Sequence, residues 1–202
     1  MAFLYQGAGG RRSETAEDRY NRGACRQGEL VVSFSFLTLL AFAVFPICIA
    51  YAAASDLVSM TISNWIPLVL IGAFVAFAPL IGMDLPTFGW HWAAAAVVLA
   101  IGFGCFSMGW MGGGDAKLAA AIALWFGPLQ GVQFVGYSAV LGGLLTLAIL
   151  LYRGSISPAM VMRIPFLAKL HEPKGGVPYG IALAAAALLI YPSSPWILLA
   201  AR

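Results

Sequence analysis

Gly112-Gly113-Gly114-Asp115-Ala116-Lys117-Leu118 interrupts a largely apolar chain near its middle, and its reading decides the fold. Before it, Trp90–Trp110 is an apolar run with aromatic residues at both ends, the distribution that membrane interfaces favour. After it, Ala116–Phe126 is helical in composition but too short to cross a bilayer unaided, and Gly127-Pro128 should stop it. About 20 apolar residues are enough to cross roughly 30 Å of hydrocarbon. The glycines and the aspartate therefore belong to a turn at the edge of a membrane.

Outward from this turn the pattern repeats. Val31–Ala54, interrupted only by Pro46, gives a first span, and Trp65–Ile81 a second. Val132–Tyr152 follows the short helix, and Val177–Leu199, broken by Pro192 and Pro195, closes the series. The expected fold is all-α, a polytopic membrane bundle of about six transmembrane helices. Composition agrees: 61% of the residues are hydrophobic and 9% charged, against about 45–50% and roughly 25% in soluble domains.

Residues 1–30 hold Arg11, Arg12, Arg19, Arg22 and Arg26 with four acids and no sustained apolar period, which reads as a polar, flexible tail. They lack the apolar core of a cleavable signal peptide. Residues 31–202 form one membrane-embedded domain with a basic connection at 153–176. A net charge of +3 gives no footprint for nucleic acid. Cys25, Cys48 and Cys105 are too widely spaced for a thiolate metal site, so neither metal nor cofactor is expected.

Loop charge sets the orientation. The connection at 153–176 carries Arg153, Arg163, Lys169 and Lys174 against Glu172 alone, and short loops rich in Lys and Arg face the cytoplasm. With six spans, the loops after the first, third and fifth share that side, so Asp56 and Asp115 meet at the cytoplasmic boundary. The same count places the arginine-bearing tail outside, against the rule that set the orientation. Co-localisation of the two aspartates needs only two crossings between them.

Outside the tail, the Asp84 turn, the basic connection and Arg202, three charged residues remain: Asp56, Asp115 and Lys117. Carboxylates at membrane depth are expensive and mark functional sites by default, although a plain capping role suits an aspartate that opens a helix. Two aspartates within a few Å can share one proton. The ionised member then draws a proton from water while the protonated one polarises a carbonyl, which is aspartic-protease chemistry. Gly112, Gly113 and Gly114 offer unshielded backbone to an extended peptide or serve as a simple turn. Lys117 either reaches lipid phosphate or acts on a nearby carboxylate. His91, between Trp90 and Trp92, reads as interfacial, and His171 as solvated. A small ion- or proton-coupled transporter subunit, with Ser107, Ser138 and Thr146 as its few other polar groups, and a non-catalytic assembly factor of a pilus or secretion apparatus are the alternatives.

These residues resemble a known family. Gly112–Leu118 fits the GxGDxKL signature of type IV prepilin peptidases, and in particular their small Flp-pilus branch. Asp56-Leu57-Val58-Ser59-Met60-Thr61-Ile62-Ser63-Asn64 is similar to the family's first aspartate segment. Gly176-Val177-Pro178-Tyr179-Gly180 is similar to its Pro-aromatic-Gly element. The resemblance implies catalytic Asp56 and Asp115, with Gly112, Gly113, Gly114, Lys117, Pro178, Tyr179 and Gly180 as motif or substrate-binding residues. It further implies a GxGD membrane aspartic endopeptidase of the bacterial inner membrane that cleaves a prepilin or pseudopilin leader just before the hydrophobic segment. The substrate helix and the lipid bilayer are the partners it implies. The four-cysteine zinc domain of the large, N-methylating enzymes has no counterpart here, so methyl transfer is not expected. The usual Ile-Pro-Asn of the first segment reads Ile62-Ser63-Asn64.

Overall fold

The computed structural model describes residues 40, 42–155, 177–194 and 196–197, and among them every regular element is helical. Five α-helices follow in order: α1 (Phe42–Ser59), α2 (Trp65–Phe77), α3 (Leu85–Ser107), α4 (Gly113–Ser155) and α5 (Tyr179–Ile190). A 3₁₀ turn, Tyr191–Ser193, extends α5 across Pro192. The expected tail, and the basic connection beyond Ser155, lie outside the described residues. Helices α1, α3 and α4 are long and apolar enough to cross a membrane, while α2 and α5 are shorter apolar helices. Large apolar side chains such as Val58, Trp65, Leu129 and Val132 point outward. That surface is matched to lipid rather than to water, and the chain is a membrane protein.

The expected fourth and fifth helices are one element bent back on itself. Gly127 sits at φ 69°, ψ −169° inside α4, a conformation that glycine reaches without a Cβ penalty. Pro128 has no N–H to give to Leu124, four residues earlier. The freed carbonyl is satisfied from α3, where His91 Nδ1 donates to Leu124 O at 2.7 Å. Trp196 Nε1 likewise donates to Trp125 O at 2.8 Å. His91 is thus not interfacial, as its tryptophan neighbours suggested, but 4% exposed. Its ring stacks on Phe74, because the bend needs a donor there.

The contacts of α5 fix the direction of each half of α4. Trp125 meets Trp196 at one end, and Asp115 is within electrostatic reach of Tyr179 at the other, so the first half runs with α5. In the second half, Gln130 bonds Ser193 O, and a Cβ at Gly142 would overlap the Tyr179 ring, so it runs against α5. Both ends of the long apolar hairpin are thereby assigned. The bend lies at the end of the bundle that also holds an aromatic cluster: Phe45 packs on Trp125 and Tyr191, with centroids 5.1 and 4.7 Å away, and Trp125 on Trp196 at 4.6 Å. Aromatic pairs of this kind add about 0.5–1.5 kcal/mol beyond the area they bury.

Asp84 caps α3 by accepting from Thr87 N at 3.3 Å. The Thr87 hydroxyl and amide hold its carboxyl below the usual aspartate range. The cap's contribution is full above that range and is lost as pH falls through the lowered value.

Gly127→Ala should test the bend. The new Cβ would stand 2.8 Å from His91 Nε2 on a backbone that L side chains rarely adopt. The expected cost is about 1–3 kcal/mol, read as a lower midpoint of thermal unfolding in detergent. Gly72→Ala, with nothing within 4 Å of its Cβ, should unfold like the native chain.

Candidate active site

Asp56 lies inside the last turn of α1 rather than beyond its end, and is 4% exposed. Its Oδ2 accepts the backbone N–H of Gly180 at 2.7 Å, from a residue 124 positions away. Gly180 is the second residue of α5, with Pro178 in the cap position, so its N–H has no partner within the helix. The amino end of α5, where the helix dipole is positive, is therefore turned on the Asp56 carboxylate. No side chain fits at position 180: a Cβ there would lie 2.8 Å from Asp56 Oδ2 and 3.0 Å from Ile62 Cδ1.

Asp115 does not occupy the capping position that the sequence suggested. Helix α4 begins at Gly113, Ala116 N bonds Gly112 O at 3.2 Å, and Asp115 is the third residue. From there its Oδ2 turns back toward Gly112, to 2.8 Å from where a Cβ would stand. An acid at this position commonly reaches back to the exposed N–H groups of the first turn. Its other oxygen, Oδ1, is buried with no hydrogen-bond partner among the described residues. The charge on Asp56 acts directly on the Asp115 carboxyl, so two segments far apart in sequence converge at one end of the bundle.

The turn between α1 and α2 makes that convergence possible. Met60 takes φ 54°, an uncommon region for a residue with a side chain. Its N–H bonds Asp56 O at 2.8 Å, and Ser55 Oγ reaches Thr61 O at 3.2 Å. The chain folds back and lays Ile62 between the two partner helices: a Cβ at Gly114 would come 3.2 Å from Ile62 Cβ, and one at Gly180 would meet the same side chain. Gly114 is thus a packing surface for Ile62, and Gly113 lies against Phe106, while Gly112 remains exposed.

Lys117 Nζ donates to Asn64 Oδ1 at 2.9 Å. The bond ties α4 to the start of α2. Asn64 was not among the residues singled out as candidates. The signal for it was the Asn that ends the aspartate segment, paired with a lysine that had no obvious partner. Pro178 is buried at the start of α5, and half-buried Tyr179 lies against Gly142 with Asp115 in electrostatic reach. The hydroxyls of Ser107 and Thr146 bond carbonyls of their own helices, Gly104 and Gly142, while that of Ser138 is buried with no hydrogen-bond partner among the described residues. His171 lies outside the described residues. No group of three or more His, Cys, Asp or Glu that could hold a metal is found among the described residues.

Two carboxyl groups face each other's field, one anchored by an amide and one with a bare oxygen, in surroundings poor in water. Such a pair can hold one proton and act on a water from one side and a carbonyl from the other. A family model described as the type IV leader peptidase family matches residues 43–147, just over half of the chain, and spans both aspartates. Searches of curated proteins and of solved structures give no match.

Gly180→Ala is expected to push Asp56 off its amide and lower turnover at least tenfold, as loss of an aligned catalytic group does. Gly136→Ala, which has open space at its Cβ, should leave turnover unchanged. Equal turnover in the two variants would remove the Gly180 amide from the site.

Proposed function

The chain belongs to the type IV leader peptidase family, and on that premise we propose that it is a membrane aspartic endopeptidase that removes the leader of Flp-type prepilins or pseudopilins. The observation that carries this reading is the meeting of Asp56 and Asp115 at one end of an apolar helical bundle. The peptide enters as an extended strand beside exposed Gly112, where bare backbone permits close approach. Asp56, its Oδ2 fixed by the Gly180 amide, takes a proton from a water. Asp115, carrying the shared proton on its unpartnered Oδ1, donates to the scissile carbonyl. The water oxygen bonds to the carbonyl carbon, and the tetrahedral intermediate collapses with its proton going to the departing amine. No covalent enzyme intermediate forms, and methyl transfer is no part of the proposal.

The helices are proposed to make six passes, with α4 contributing two through its bend. We place the site at the cytoplasmic face because the sequence joining α4 to α5 is basic and α5 begins beside Asp56. In this orientation the leader, the water and the released peptide share the cytoplasmic side of the bacterial inner membrane, while the hydrophobic segment of the product stays in lipid.

Co-expression with a candidate prepilin tests the reading, the leader being scored by gel shift. Asp56→Asn and Asp115→Asn should each lower processing at least ~100-fold while the protein still accumulates in the membrane. Retained cleavage in either variant would remove that residue from the mechanism. Because the reaction needs one carboxyl protonated and the other ionised, the pH profile of kcat should be bell-shaped. It falls on the acid side as the water-activating carboxylate is protonated, and on the alkaline side as the shared proton is lost. A single-sided profile would contradict the dyad.

A further inference from the structure

We propose that Ile62 is the spacer of the aspartate pair, holding the two carboxyl groups near enough to share a proton and far enough apart to admit the attacking water. The inference rests on the peptidase reading and adds a positioning residue to it. Its starting point is a gap. The charge of Asp56 reaches the Asp115 carboxyl. Yet Asp115 Oδ1 is buried with no hydrogen-bond partner among the described residues, and Asp56 Oδ2 is held by the Gly180 amide. Left free where water is scarce, a protonated carboxyl and a carboxylate close onto each other in a short, strong hydrogen bond. In glycoside-cleaving carboxyl pairs the separation decides whether a water fits between them, and the same geometry applies here.

Ile62 is placed to keep that separation. Its Cβ stands 3.2 Å from where a side chain would begin at Gly114, the residue before Asp115. Its Cδ1 stands 3.0 Å from the same point at Gly180, whose amide holds Asp56. One side chain therefore bears on the start of α4 and the start of α5, and glycine on each flank lets it do so at backbone range. The spacer is also fixed from behind. Thr61 O accepts from Ser55 Oγ at 3.2 Å and lies 3.0 Å from Ser59 Oγ, and Thr61 Oγ1 donates to Ser59 Oγ at 2.9 Å. These bonds clasp the turn to the end of α1, so Ile62 keeps a set position relative to Asp56 and meets α4 from there. A β-branched residue suits the task, because its χ1 is stiff.

The pH profile of kcat with a candidate prepilin tests the spacer. Around the pair, Tyr179 from α5 is within reach of Asp115, and Cys105 from α3 within reach of Tyr179. Lys117 on α4 is turned to Asn64, and α2 brings no titratable group. The acid limb, where phenols and thiols as classes do not titrate, is therefore the one to read. In Ile62→Ala the elements close up and the carboxyls hold their proton more tightly between them, so the midpoint of that limb should fall by about 0.5 pH unit. Ile62→Val, which loses only the Cδ1 reach, should move it the same way by less. Gly114→Ala presses on Ile62 from the other side and should raise the midpoint. Ile49→Ala, fully buried in α1 two turns before Asp56, should lower the thermal midpoint and leave the limb in place. A limb unmoved in both Ile62→Ala and Gly114→Ala, or moved as far in Ile49→Ala, overturns the spacer and leaves the peptidase standing. The infrared band of the protonated carboxyl, assigned with Asp56→Asn and Asp115→Asn and titrated in parallel, should follow the same shifts. A native chain that removes no leader yet shows them overturns the peptidase and keeps the spacing; one that does neither overturns both.

Discussion

The hydrogen bond from Gly180 N to Asp56 Oδ2, 2.7 Å long, is the constraint around which the site is built. It requires the amino end of α5 to arrive at the last turn of α1, and it leaves no room for any residue larger than glycine at position 180. It also gives a buried carboxylate a donor and a favourable dipole where water is scarce, without which an acid at 4% exposure would be a severe cost. Ile62 fills the remaining space, touching the surfaces that Gly114 and Gly180 leave bare. Three helices thus meet through one carboxylate, one amide and one isoleucine.

The opposite end of the bundle serves that arrangement at a distance. Asp115 opens a helix that must run away from the site, and Tyr179 needs the shallow surface of Gly142 beside it. Both demands are met only if α4 reverses, which it does at Gly127. Reversal frees two carbonyls, and the structure answers with one donor each: His91 from α3 and Trp196 from beyond α5. The aromatic cluster of Phe45, Phe74, Trp125, Tyr191 and Trp196 forms around these donors. The two carbonyls freed at the bend are therefore satisfied, while Oδ1 of Asp115 is not.

How much of this was legible from the residues alone depended on period and cost. Apolar runs marked the helices because lipid imposes a length, and Asp56 and Asp115 stood out because charge is rare among such runs. Gly127-Pro128 announced a break, but not that its carbonyls would be capped from other helices, since local sequence carries no record of which side chain arrives. For that reason His91 was read as interfacial when it is a core donor. The bond of Lys117 to Asn64, 53 residues away, was not anticipated, because the pairing depends on how α2 and α4 dock. The triple glycine invited a reading as open docking surface; two of its three members are used to let Ile62 and Phe106 approach.

The bare Oδ1 of Asp115 ties these observations together. A buried polar atom without a partner costs about 1–3 kcal/mol, and the hydroxyls of Ser107 and Thr146 are turned onto their own helices rather than toward it. The fold retains that cost at the one position where, in the proposed reaction, a substrate carbonyl would arrive. Binding would then replace a missing hydrogen bond instead of displacing a made one. The same reasoning explains why amides and glycines rather than further side chains crowd the aspartates. Any acceptor within the protein that took the proton on Oδ1 would compete with the substrate carbonyl that the reaction needs it for.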